Sequence, residues 1–528
     1  MHDLARRSRR GAVDRRGVGS WLPWSGAAVC LIGSSLWPRT AAADEPRSST
    51  EPRVMMEPGE VTNVIDAFDD IDPFDVNISL GFEYSSKSAK VVRETAINEA
   101  GLTTGGFTSN LMNVAKYSET TSKLVPRVDF GIYKDLAAYI KLPIILNNSR
   151  KLEDLDGSAN KLGVVFAGAP GETLVQKLPF EAPDRSGVEY LAFGLELDIL
   201  NQARDRTKPT WLFGIEGRFS IGTPMHACNP DPKEGQVECA APGDVNRNGK
   251  TDDTKLESVD TKERDAGVTR GTVTLEAHTI LSKRVKYVEP YGGFSALFEF
   301  QNSSSDYGVT DLEASLVNHP PLVGTMILGV MLMPWENREK WGRLTFDMRF
   351  TGQYHSEGRD YSELFDALGS SDAASLRNAQ FARYQANPNF VDNPPKGTPV
   401  QARSIIDESS QKTYFTGLSD VQPYGSYRGS ASVTWQASEF VKFTFGMGYR
   451  HDQAHGISGD QPCNPDLKSS GIGKAGPCHS GDETKSQPVT PTGQPNPNYR
   501  PTVNAVGRRF YIDDSNTFDI FASGVVMF

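Results

Sequence analysis

The last eleven residues read Phe518-Asp519-Ile520-Phe521-Ala522-Ser523-Gly524-Val525-Val526-Met527-Phe528. In an extended strand, successive side chains point to opposite faces. Phe518, Ile520, Ala522, Gly524, Val526 and Phe528 therefore share one face, while Thr517, Asp519, Phe521, Ser523, Val525 and Met527 share the other. A strand with so apolar a face, ending on an aromatic, suits a surface covered by hydrocarbon instead of water.

The same alternation recurs upstream. In 74–86, Val76, Ile78, Leu80, Phe82 and Tyr84 fall on one face and Asp75, Asn77, Ser79 and Glu83 on the other, which no helical period fits. Further strands are predicted at 123–133, 136–146, 191–199, 211–219, 270–282, 288–300, 321–333, 343–355, 422–436 and 440–450, giving twelve with the last run. The stretch 321–333 is apolar on both faces, and Val506, Arg508, Phe510 and Ile512 extend the final strand or form a separate arm.

The connections alternate in length. Those at 134–135, 201–209, 283–287, 334–342 and 437–439 are short. Those at 87–122, 147–187, 222–268, 301–320, 356–421 and 451–510 are mostly longer, polar and rich in Gly, Pro, Asn and Ser. A soluble β-sandwich does not explain this rhythm, and its outer faces would not carry five large apolar residues in succession. Within 356–421, Tyr361 to Leu368 and Ala373 to Tyr384 have helix-compatible spacing, which predicts short helices over or inside the mouth of a closed sheet.

The N-terminus fits an exported chain. Residues 1–43 carry seven arginines, an apolar stretch from Trp21 to Trp37 and then Ala41-Ala42-Ala43, the pattern of a signal peptide cleaved near Ala43. Its removal takes seven basic and two acidic residues, leaving 48 basic against 64 acidic, a net charge of −16. That balance argues against nucleic-acid binding, which needs a basic surface. The segment 44–73, acid- and Pro-rich, is expected to be a periplasmic extension packing near or into the barrel mouth. Cys228 with Cys239, and Cys463 with Cys478, lie as two local pairs in loop-like sequence and are expected to form disulfides.

Strand rhythm, signal sequence and the terminal Phe528 together resemble Gram-negative outer-membrane β-barrels as a general class, over residues 74–528. The resemblance implies an all-β, transmembrane, antiparallel up-and-down barrel of about twelve strands, with long extracellular loops and short periplasmic turns. It also implies residence in the cell outer membrane among lipid and lipopolysaccharide, and recognition of the Phe528 strand by the barrel assembly machinery. Partners in the envelope would meet the long loops.

With the large apolar sets facing lipid, the alternate residues face the lumen. Early strands supply Asp75, Glu83, Arg127, Asp129, Glu196, Asp198, Glu216 and Arg218, and later ones Glu276, His278, Arg343, Asp347, Arg349, Arg428, Lys442 and Arg450. The early half leans acidic and the late half basic, so charges of opposite sign are expected to face each other across the interior. Two functions suit that interior: a narrow passive channel for small polar solutes or ions, or a scaffold docking an export or motility complex. Enzymatic function is not expected. His355 and Ser356, with Glu357 and Asp360 nearby, bring a hydrolase to mind only remotely, since adjacent residues on a strand point to opposite faces.

No resident cofactor is expected beyond a weak calcium loop in 222–268. Asp244, Asn246, Asn248 and Asp252 supply oxygens at alternating positions and Gly249 the turn, as in EF-hand loops. Lys255 stands where the bidentate acid belongs, so a solvated Asx/Gly-rich loop is the competing reading.

Overall fold

The computed structural model describes residues 61–62, 64–65, 67, 75–98, 107–155, 176, 178–227, 266–302, 307, 319–371, 384–386, 391, 395, 404–406, 417–459 and 509–528. Contacts divide the chain into Met1–Ser49 and Thr50–Phe528, and every described residue lies in the second unit. The cleavage site, the four loop cysteines and the Asp244–Asp252 loop all fall outside the described residues.

Twelve antiparallel strands form one closed barrel. They are β1 (Val76–Asn98), β2 (Phe107–Tyr133), β3 (Leu136–Lys141 continued by Ile144–Asp154) and β4 (Arg185–Val188 continued by Leu191–Leu200). Then follow β5 (Thr210–Phe219), β6 (Thr272–Ser282), β7 (Val288–Gln301) and β8 (Val323–Asn337). The circuit ends with β9 (Gly342–His355), β10 (Tyr424–Ser438), β11 (Val441–Asp452) and β12 (Phe510–Met527). Each strand pairs with its successor, and β12 returns to β1 with Ile78 opposite Val526 and Tyr84 opposite Ile520. Backbone bonds between Val76 and Phe528, of 3.2 and 2.9 Å, finish the seam. Closure leaves no sheet edge, so backbone groups are satisfied internally, as hydrocarbon requires.

The apolar stripes face outward. Leu80, Phe294 and Phe445 are 55, 64 and 54% exposed, so no protein covers them. A belt of this kind is the lipid-facing surface of a membrane barrel. No helix among the described residues is long and apolar enough to cross a membrane; the sheet does so.

Interruptions in β3 and β4 lie side by side. Pro143 has no N–H for the ladder and breaks β3. The Leu142 amide instead reaches the Pro126 carbonyl at 3.1 Å, and Glu189 donates to Pro143 at 2.9 Å, which keeps the wall continuous.

The structure corrects several boundaries, among them that of the expected loop 147–187, whose first residues continue β3 to Asp154. The expected loop 87–122 is largely strand: β1 runs to Asn98 and β2 starts at Phe107, paired through a bulge at Val91 and Val92. Above the lipid no hydrocarbon demands an apolar outer stripe, so these extensions carry Ser, Thr and Lys outward and lose the alternation. The turn placed at 334–342 shrinks to 338–341 because β8 runs on to Asn337. Phe510 and Ile512 belong to β12 itself.

The barrel is filled at both ends by different means. At the short-turn end Val64 and Ile65 pack against Ala137 and Leu212, while Val61 lies against Tyr291, Met331 and Met333. Ile327, Met331 and Met333 are inward residues of β8, which explains why that strand is apolar on both faces. Thr62 bonds Ser282 at 2.7 Å; since Ser282 donates to Glu289, Thr62 is the donor. At the long-loop end a five-residue helix α1 (Phe365–Gly369) is wholly buried. Leu364, Ala367 and Leu368 of this plug pack on Val91, Val114, Leu152, Val421, Ile457, Phe510 and Ile512. One of the two expected helices is thus inside the mouth; the described residues do not include 373–383.

Candidate functional site

The middle of the lumen is lined with charge. Strand alternation turns Arg127, Asp129, Tyr139, Lys141, Glu196, Glu216, Arg218, Glu276 and His278 inward from β2 to β6. Arg127 contacts Asp129 at 2.5 Å and Glu196 at 3.4 Å, and its guanidinium lies 3.8 Å above the Tyr139 ring. The Tyr139 hydroxyl donates to Glu216 at 2.5 Å, and Lys141 reaches the same carboxylate at 2.8 Å. Arg218 bridges Glu216 and Glu276, and His278 stands 3.7 Å from Glu196. On the far side Tyr291 donates to Asp347 at 2.6 Å and accepts from Arg349 at 2.9 Å, while Arg428 clasps Asp519 from β10 to β12.

Aromatic rings in this lining lie over glycines. A Cβ on Gly194 would overlap the Tyr139 ring, and one on Gly214 would overlap His278. Absent those carbons, the rings lie against the wall. Glu83, paired with Lys123 at 3.1 Å, keeps 48% of its side chain exposed although it points inward, and Arg428 keeps 31%. The middle of the barrel therefore has room for water.

The expected opposition of charge across the interior is corrected here. Acidic and basic groups pair along the wall between strands one or two apart, because such partners are within reach of a side chain and those across the lumen are not. Of the remaining expected lumen residues, Arg450 contacts Asp452 at 3.3 Å near the outer end. Asp75, Asp198 and Arg343 are buried at the short-turn end, and Lys442 sits beside Val525.

The outer plug is fastened by a second set of ion pairs. Asp366 receives Arg185 through both terminal nitrogens, at 2.5 and 3.3 Å, and Arg150 stands 3.7 Å away. Glu363 meets Lys87 at 2.6 Å. Asp360 meets Arg270 at 2.8 Å and Tyr307 at 2.6 Å. Arg150 is in turn held by Glu119 at 3.2 Å. Burial works against the Glu119 charge, but Arg150 and Lys87, with hydrogen bonds from Asn148 and Tyr117, outweigh it and hold the carboxyl at about 2.

Sequence reasoning missed every member of this latch except Asp360, which it noted only beside His355. The wall residues lie in extensions where alternation fades, although acids at 360, 363 and 366 do recur every third residue. His355 and Ser356 have structural partners: His355 stacks on Tyr424 at 4.4 Å, and the Ser356 hydroxyl accepts from Leu322 and donates to the Glu357 carbonyl. No group of three metal-ligating side chains occurs among the described residues.

A closed twelve-stranded barrel, an uncovered apolar belt and a polar interior decide the fold. The chain has the fold of an outer-membrane β-barrel. No protein-family model matches it, and no curated protein matches its sequence. Among solved structures it is similar to an outer-membrane channel from Pseudomonas putida F1, with a TM-score of 0.33, 10% identity, and 89% of this chain and 99% of that one covered. It is also similar to a FadL homologue from Pseudomonas aeruginosa (TM-score 0.27, 8% identity, 86% and 90% covered). A third likeness is to the outer-membrane protease OmpT of Escherichia coli (TM-score 0.24, 8% identity, 88% and 100% covered). Likenesses this slight carry no argument about what the barrel does.

Proposed function

We propose that this barrel is a narrow passive channel for small polar solutes, narrowed at its short-turn end by residues 61–67 and closed at its outer end by a removable plug. The observation carrying the reading is the contrast between lining and plug. The charged lining is anchored along the wall with its aromatic rings held flat, which is how a water-filled passage is kept open. A barrel serving only as a scaffold has no need of inward groups left half in water, and unpaired charge sealed in a filled interior is costly. The plug, by contrast, comes from a connection between β9 and β10 and can leave without disturbing the ladder.

Gly358–Asp360 pairs with Ser419–Val421, so Asp360 and Ser419 lie side by side. Residues 361–418 are therefore replaceable by a two-residue Asn-Gly turn without opening the sheet. In liposome swelling with neutral sugars and amino acids of increasing size, that variant should admit small solutes several-fold faster than the native chain. A folded variant that admits none even when residues 61–67 are also removed contradicts the channel.

A further inference from the structure

We infer that the outer vestibule is a binding site for a small soluble oxyanion, a compound bearing two or more carboxylate or phosphate groups, which the plug carboxylates occupy in its absence. The inference rests on the channel reading for its purpose, but its geometry stands separately. Two wall cations take their shortest ion pair from the plug. Arg185, 1% exposed, holds both Asp366 oxygens, and Lys87 holds Glu363 with Asp452 no nearer than 4.0 Å. Arg150 and Arg270 differ, because Glu119 and Glu299 on the wall would still hold them if the plug left.

A guanidinium gripping a carboxylate through two nitrogens is the arrangement that recognises carboxylate and phosphate ligands. Arg185 has further capacity: its Nη1 and Nη2 also donate to the carbonyls of Pro183 and His226, while its Nε has no acceptor among the described residues. Withdrawing the plug alone gives up both ion pairs with nothing but water in their place. An incoming oxyanion removes that obstacle by replacing Asp366 and Glu363 together, since they lie three residues apart at the turn that opens α1. Chloride, a single charge without the paired oxygens, does not.

The test uses the full chain in phosphatidylcholine vesicles with Ala367→Cys, a fully buried position on the plug itself. Modification of that thiol by a small methanethiosulfonate reagent, localised by mass spectrometry, should quicken at least fivefold in citrate or pyrophosphate over chloride at equal ionic strength. Lys87→Gln should raise the citrate needed by about tenfold. Calorimetry on the unsubstituted protein should show saturable citrate binding, which covers the case in which a variant misfolds. Equal rates in citrate and chloride, or no heat, overturn the proposal. So does acceleration by added lipopolysaccharide alone, which would assign the oxyanion to a lipid headgroup. Quickened modification without conductance would leave the site standing and remove the channel; conductance without an oxyanion effect would do the reverse.

Discussion

The outer third of the barrel and its middle solve the same problem in opposite ways. Both are closed rings of strands whose inward residues cannot all reach partners on the opposite wall. The outer third is filled: a loop brings Leu364, Ala367 and Leu368 into an apolar knot, and its ion pairs join plug to wall. The middle is lined: its ion pairs join wall to wall, and its rings rest on glycines. A filling whose bonds run to a separate segment is able to leave, whereas a lining bonded within the sheet stays. That difference locates the gate in the loop and the passage in the strands.

The largest effect should come from breaking the filling alone. Asp366→Asn leaves Arg185 buried without its carboxylate, a loss on the order of 3–5 kcal/mol for a buried pair. Amide exchange across 361–371 should accelerate roughly 10²–10⁴-fold by that free energy, while amides of Leu191–Leu200 keep their protection. Equal acceleration in both would erase the distinction between the regions.

The lining should respond to Gly194→Ala. The added carbon forces Tyr139 off the wall, costing about 1–3 kcal/mol as overpacking does, and swings its ring toward the axis. A lower unfolding temperature and slower solute entry into a plug-deleted barrel are expected; unaltered entry would show that the ring's seat is unimportant. At the seam both regions share, deleting Phe528 removes two backbone bonds, each worth roughly 1 kcal/mol. Heat-modifiable folded barrel on gels should decrease, and an undiminished yield would detach that residue from assembly.

The smallest effect is that of acid. Glu119 has its carboxyl depressed to about 2 from an ordinary 4.5, so the stability it contributes is complete above that ordinary value and is lost as pH falls through about 2. The Glu119–Arg150 support of the latch should thus begin to decline only below about pH 4.5 and be lost towards pH 2. Exchange at 361–371 that already rises at pH 5 would mean a different group sets the latch.

The strands were legible where lipid writes the pattern. Ile78 to Tyr84, Val441 to Tyr449 and Phe518 to Phe528 alternate because hydrocarbon requires one apolar face, and each of these stretches is strand as expected, the last as far as Met527. Val91, Val114 and Leu152 are as structural, but their apolar partner is a loop more than 200 residues away in sequence, so nothing local announces them. The same holds for the site. Glu196, Glu216 and Arg218 follow from parity along a strand, whereas Arg185 and Asp366 acquire meaning only from the fold that brings them together.

The most direct measurement compares single-channel conductance of the native chain and Asp366→Asn in one planar bilayer at identical salt. The account predicts brief, infrequent openings for the native barrel and longer, more frequent ones of the same ion selectivity for the variant. Silence from both, with the variant's plug shown to be loosened by exchange, would contradict a water-filled passage beneath it.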